Sequence, residues 1–266
     1  MSKIFMLLLS LVLLLVSSMS ASGAAVEVIS LLDVQGEGNT QLLLGVSKSQ
    51  LKEFLPNGKM KSQILAYFVK THDNNILFDT GLRDGHIVKR LAENGIKPED
   101  VKTIMITHLH GDHFGGLVNE HNEAAFPNAN VYVNAVERAY WVDDVKNEAV
   151  IDALNLYDGR VKLFNFGDEV LTGVKAIDAS GHTPGHTAFE VCNEVLIVGD
   201  IMHFPEIQLP LPEISVKYDV DPDQARESRK KILDYAAEKN FTIAGMHITP
   251  PGIYKIKKAG TGYEKF

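Results

Sequence analysis

Residues 103–117 read TIMITHLHGDHFGGL, an apolar, β-branched run that passes directly into three histidines and an aspartate and then into paired glycines. The run 103–107 predicts a strand, and the glycines after His113 predict that the chain turns away from it. A strand end is a rigid mount. Beyond it alternation lapses, so His108 and His110 can converge on one point while Asp112 and His113 reach a second. Imidazole and carboxylate are borderline-to-hard ligands that suit zinc, iron, cobalt or manganese, and no thiolate lies in the cluster. A lone histidine would read as a hydrogen-bonded core or surface residue. Ligand-type side chains packed this densely are costly unless a cation compensates them, so the segment reads as a metal site.

Working outward, the same order of apolar strand and then ligand recurs. The strand 174–178 precedes GHTPGHT at 181–187, in which His182 and His186 flank Pro184-Gly185. The strand 194–198 leads through Gly199 to Asp200, and 241–245 leads through Met246 to His247. Further strands are expected at 26–32, 64–70, 75–78, 131–134, 161–165 and 187–191. Helices are expected at 49–54, 86–94, 135–143, 148–156 and 223–239, the last capped by Asp221 and Pro222. Strands separated by helices predict an α/β protein with its sheet faces covered. Residues 36–61 and 204–219, the second with Pro205, Pro210 and Pro212, read as loops placed to cover a substrate or as packed surface.

Composition sets the outer bounds. The chain of 266 residues is 45% hydrophobic and 23% charged, ordinary globular content with enough apolar material for a sizeable core. Residues 1–25 differ: Lys3, an apolar run over 4–16, then small residues, the order of a secretory signal peptide with cleavage near Ala24 or Ala25. The run is short of the roughly 20 residues a spanning helix needs. An exported, periplasmic or secreted protein with one domain over 26–266 is therefore expected, without stable membrane insertion. Loss of Lys3 would take the formal charge from −8 to about −9, which disfavours a nucleic-acid partner. Cys192, the single cysteine, can form no intrachain disulfide and reads as a buried strand residue within 188–198 rather than a catalytic thiol.

HLHGDH at 108–113, GHTPGHT at 181–187, GD at 199–200 and GMH at 245–247, preceded by FDTG at 78–81, resemble the successive motifs of the metallo-β-lactamase superfamily. The resemblance spans about residues 26–256 in the family's order. It implies an αββα sandwich with its site at one edge. It also implies that His108, His110 and His182 bind a first ion, that Asp112, His113 and His247 bind a second, and that Asp200 bridges both. His186, Asp79 and Thr107 would support these ligands by hydrogen bonds. The implied cofactors are two divalent ions, zinc first, with iron, cobalt or manganese as alternatives.

Two such ions can share a water, lower its pKa toward about 7 and present a bridging hydroxide to a polarised carbonyl or phosphoryl group. Asp112 or Asp200 could accept the proton. Among branches of the family, the β-lactamases proper generally lack a bridging aspartate, and glyoxalase II adds a C-terminal helical domain for which the 19 residues after His247 are too few. The tRNA-processing nucleases need a basic surface. The resemblance thus points to hydrolysis of a small ester, lactone or phosphotriester. Quorum-quenching lactonases carry a tyrosine three residues after the bridging aspartate. This chain has His203 there, as phosphotriesterase-like members do, which offers a donor or general acid at the site edge. A β-lactam hydrolase of the same fold and a mononuclear iron sulfur-dioxygenase are the alternatives.

Overall fold

The apolar runs that carry these motifs are the inner strands of two facing sheets. The computed structural model describes residues 26–266, so the expected signal segment lies outside the described residues. In chain order the elements begin with β1 (Glu27–Glu37), β2 (Leu43–Leu44), α1 (Lys48–Phe54), β3 (Lys61–Lys70), β4 (Asn75–Phe78), α2 (Ile87–Glu93), β5 (Thr103–Met105) and α3 (Gly111–Phe114). There follow β6 (Asn130–Asn134), α4 (Ala135–Arg138), α5 (Glu148–Asn155), β7 (Val161–Phe164), β8 (Glu169–Leu171), β9 (Val174–Asp178), β10 (Thr187–Val191) and β11 (Val195–Gly199). The chain closes with α6 (Pro205–Gln208), β12 (Ser215–Val216), α7 (Pro222–Lys239), β13 (Thr242–Gly245), β14 (Ile253–Ala259) and β15 (Gly262–Lys265).

One sheet has the order β1-β3-β4-β5-β6-β7 and the other β15-β14-β13-β11-β10-β9-β8. Leu65, Tyr67, Phe78 and Met105 of the first meet Phe189, Ile197, Ala244 and Met246 of the second in a shared core. Ile87, Leu91, Val150 and Ala153 bring α2 and α5 onto the outer face of the first sheet, against Leu77, Ile104 and Val131. Ile232, Leu233 and Ala236 bring α7 onto the second, against Leu196, Val198 and Ile243. Four layers result, the αββα sandwich. Strands buried on both faces read as unbroken apolar runs, which is why β11, VLIVG, shows no alternation.

Strand direction positions the site. β4, β5, β6 and β7 run parallel. β11 runs parallel to β13, and β9 shares their direction because both β9 and β11 are antiparallel to β10. The carboxyl ends of these strands gather at one edge of the sandwich, where open α/β sheets usually place their ligands.

Three expectations need correction, and one hairpin went unread. Residues 36–61 and 204–219 are not simple loops: β2 pairs with β12, and Leu43, Leu55, Met60, Phe204, Ile207, Ile214 and Val216 form a small core of their own. Ser47 and Gln50 close a capping box that starts α1 within it. The hairpin β14–β15 was not legible, because Lys255, Lys257 and Lys258 interrupt its apolar pattern. The helix expected over 135–143 ends as α4 at Arg138 and continues as a wider π turn over Ala139–Asp144. Cys192 is half-buried in the β10–β11 turn, where it and Asn193 have positive φ of 51° and 54°, and not in a strand.

Candidate metal centre

Each expected ligand lies beyond the carboxyl end of a strand. His108 and His110 follow β5, and His110 leads into α3, which carries Asp112 and His113. His182 follows β9, Asp200 follows β11 and His247 follows β13. Asp79, just after β4, binds this edge together. Its carboxylate accepts the Thr107 backbone N–H (2.7 Å) and hydroxyl (2.8 Å) and lies 2.7 Å from His113 Nδ1. Asp79 is fully buried with φ 59°, a left-handed conformation that costs roughly 1–3 kcal/mol in a non-glycine residue. Three hydrogen bonds offset that cost. Burial raises its pKa, while His113 and Thr107 pull it back.

The seven side chains converge. His108 Nε2 and His182 Nε2 each lie 3.0 Å from His110 Nδ1, and they lie 3.7 and 3.3 Å from Asp200 Oδ2. In a second group, Asp112 Oδ2 is 3.6 Å from His113 Nε2 and 3.4 Å from His247 Nε2. Asp200 touches both: Oδ1 is 3.3 Å from His113 Nε2 and Oδ2 is 3.0 Å from His247 Nε2. An ion with bonds of about 2.0–2.1 Å spaces tetrahedral donors about 3.3 Å apart, so these separations are consistent with two coordination shells that share Asp200. His113 Nε2 and Asp200 Oδ1 are buried without a hydrogen-bond partner and face each other. A cation between them would remove that penalty. The residues fit the two implied ions.

The outward nitrogens are held by groups that fix each ring. His182 Nδ1 is 2.8 Å from Asp219 Oδ1, His247 Nδ1 donates to the Gln63 carbonyl at 2.6 Å, and His108 Nδ1 lies 3.1 Å from the Thr107 hydroxyl. A donor facing outward leaves the lone pair facing inward. His186 is a support, as expected. Its Nδ1 donates to the Ala179 carbonyl (2.9 Å) and its Nε2 accepts the Asp200 backbone N–H (3.0 Å), which fixes a neutral tautomer. Burial and the adjacent His182 push its pKa down to about 3. Gly199, φ 54°, lets the chain pass: a Cβ there would strike the His186 ring and lie 3.1 Å from Thr107 Cβ.

Charge in the cluster is divided sharply. Burial would raise the Asp200 pKa, but His113, His247, His203 and His108 hold it well below the carboxylate range. Burial would lower His182, yet hydrogen bonds to Asp200 and Asp219 push it up to about 9. His110, less favoured by carboxylates, falls to about 3 through burial and its neighbour His182.

His203 lies inside the site. Its Nε2 is 3.1 Å from Asp200 Oδ2, and its ring stacks on His247 at 4.8 Å and 13°. Tyr218 lies on it at 5.8 Å and is half exposed. Trp141 stands edge-on to His110 at 5.5 Å, so aromatic rings flank the ligand cluster on two sides. Asp112 is its most exposed carboxylate, with 28% of the side chain accessible.

Sequence reading missed Asp219, Gln63, Glu137 and Arg229. Fully buried Arg229 in α7 donates to the carbonyls of Ile201, Pro212 and Ile214 and comes within 3.9 Å of Asp219, which in turn holds His182. None belongs to a motif: Arg229 is one charge among several in RESRKK, and Glu137 is an acid beside Arg138. Only Asp219, beside the proline-rich stretch, had a neighbouring signal.

Comparison with known proteins identifies the family. The family model of the metallo-beta-lactamase superfamily matches residues 61–247, and the chain belongs to that superfamily. The crystal structure of the hydrolase AbOPH, described as in the beta lactamase superfamily, is 30% identical with a TM-score of 0.83 over 93% of this chain and 98% of that one. AidC, a dizinc quorum-quenching lactonase solved with a product bound, is 25% identical with a TM-score of 0.81 over 92% of this chain and 95% of AidC. The N-acyl homoserine lactonase of Bacillus cereus is 26% identical over 166 residues, 52% of this chain and 62% of that enzyme. The alignment thus spans less than two thirds of that lactonase's length.

Proposed function

We propose that the protein is a metal-dependent hydrolase that holds two divalent ions, zinc first, and cleaves a small, largely apolar ester, lactone or phosphotriester. The observation that carries this reading is the convergence of two donor groups, His108-His110-His182 and Asp112-His113-His247, on the two oxygens of Asp200. Bound ions supply an activated water and polarise the substrate oxygen, so no side-chain nucleophile is required.

The chain's own groups then divide the work. Asp200, held ionised by the surrounding imidazoles, is a fixed acceptor at the centre. Asp112, partly open to solvent, can take a proton at Oδ1, the oxygen not set against His113 and His247, and pass it to bulk water. His203, stacked on His247 beside Asp200 and kept neutral at pH 7 because burial lowers its pKa to about 4, can offer a ring N–H as a hydrogen-bond donor to a leaving oxygen. Trp141 and Tyr218 offer flat apolar faces to substrate beside the charged floor. Likeness to AbOPH and to the lactonases supports small-molecule hydrolysis as the reaction class.

The test is metal content with turnover. Purified protein should contain close to two ions per chain and hydrolyse at least one of an acyl-homoserine lactone, a phenyl acetate and a phosphotriester at neutral pH. Fewer than one ion after metal-replete expression, or rapid turnover confined to a β-lactam, would reject the proposal. Export through residues 1–25 belongs to the same proposal, and an N-terminus of the secreted protein near Val26 would support it.

A further inference from the structure

We propose that Glu137 is a positioning residue whose buried carboxylate locks the loop carrying His108 and His110 to the loop carrying His182, so that the first ion's donors are set before any ion binds. The inference rests on the dinuclear reading and adds a residue outside the ligand set. Glu137 lies in α4, after β6, and is 1% exposed. Its Oε1 accepts the backbone N–H of Leu109 at 2.8 Å and the indole N–H of Trp141 at 2.7 Å. Its Oε2 accepts the Thr183 hydroxyl at 2.7 Å and the backbone N–H of Gly185 at 2.9 Å.

The placement of these partners is the argument. Leu109 stands between two of the first ion's ligands on the first sheet's side, whereas Thr183 follows the third ligand on the second sheet's side. One oxygen faces each loop. The Trp141 bond also holds the indole edge-on to His110. The approach is tight by construction: a Cβ on Gly185 would lie 2.6 Å from Glu137 Cα, so only glycine permits the contact. Among the described residues, no equivalent carboxylate ties the second ion's ligands across the two loops. Asp79 and Gln63 hold His113 and His247 singly.

All four partners donate, so the group they surround must be acceptor-only. Glu137→Gln keeps the shape but makes one end an amide donor, set against either Leu109 and Trp141 or Thr183 and Gly185. The experiment compares wild type, Glu137→Gln and Tyr157→Phe. The last removes a buried hydroxyl bonded to Leu117 and Phe126 instead, and so reports generic loss of stability. Cobalt is titrated into the metal-free proteins against a competing chelator, with the visible spectrum recorded and ions counted. Glu137→Gln should bind the first ion about 10–100-fold more weakly with an altered cobalt spectrum, while the second binds as in wild type. Tyr157→Phe should show neither change. If Glu137→Gln does not fold, Thr183→Val and Trp141→Phe each delete one donor and should each weaken the first ion by about tenfold or less. Unaltered first-ion affinity and spectrum in the variants that fold would overturn the role of Glu137. Wild type binding less than one ion would instead overturn the dinuclear reading itself, so the two failures are distinct.

Discussion

The two edges of the sandwich use unusual backbone for different ends. At the edge where β4, β5, β9, β11 and β13 finish, the chain buries carboxylates, twists Asp79 and Gly199 to positive φ and leaves His113 Nε2 and Asp200 Oδ1 unpartnered. At the opposite edge, positive φ at Cys192 and Asn193 serves a hairpin turn, and Asn74 there bonds the Thr172 carbonyl at 3.1 Å to join two turns. At the first edge the strain and the unpartnered polar atoms surround the candidate metal centre. At the second they do only the work of reversing the chain.

Breaking the first edge should have the largest effect. Asp200→Ala removes the group shared by both donor clusters and leaves five imidazoles with no central anion, and hydrolysis should fall by roughly 10³-fold or more. The check is kcat/KM together with ions per chain, which should fall in parallel. Asp79→Asn is gentler. It keeps the volume but weakens the acceptor that orients His113, and a loss of about 10–100-fold in second-ion affinity is expected by chelator competition.

A smaller, graded effect should come from protons. Without ions, hydrogen bonds to Asp200 and Asp219 overcome burial and hold His182 at about 9, so it is charged at pH 7. An ion must displace that proton. First-ion affinity should therefore rise with pH up to about 9, approaching tenfold per unit, and loading at pH 7 should release protons, measurable by calorimetry in buffers of different ionisation heat. Affinity that is flat between pH 6 and 8 would contradict the assignment. Chelation should also cost stability: at 100 times Kd each ion adds about 2.7 kcal/mol, so removal of both should lower Tm by roughly 10–20 °C in a thermal melt.

The difference between the edges also explains what the sequence made legible. The residues that converge at the candidate centre were readable because each follows an apolar strand and four crowd into HLHGDH. Their supports were readable only in part. Asp79 and His186 lie in recognisable motifs, but Glu137 is one acid in an ordinary helical segment and Asp219 one aspartate after a proline-rich stretch, and only the fold brings them to Leu109, Thr183 and His182. Central strands buried on both faces were clear as apolar runs. β14 and β15 were missed because lysines at a sheet margin break the pattern. β2 and β12 were missed because a pair of residues in each is too short for periodicity to register.

At the far edge the expected effect is small and of opposite sign. The Val191 carbonyl accepts the Glu194 N–H at 3.0 Å across a turn whose central residues, Cys192 and Asn193, both have positive φ. A hairpin turn of that kind favours Asn followed by Gly, and cysteine pays about 1 kcal/mol or more to enter the left-handed region. The double change Cys192→Asn with Asn193→Gly should therefore raise stability by about 1 kcal/mol, a Tm shift of roughly 2–4 °C. It should leave metal content and kcat/KM unchanged, because the whole of β11 separates the turn from Asp200. A gain in stability with unaltered chemistry would show that positive φ at this edge is a cost of the turn alone. A fall in metal affinity would mean that the two edges are coupled through β10 and β11, and the contrast between them would fail.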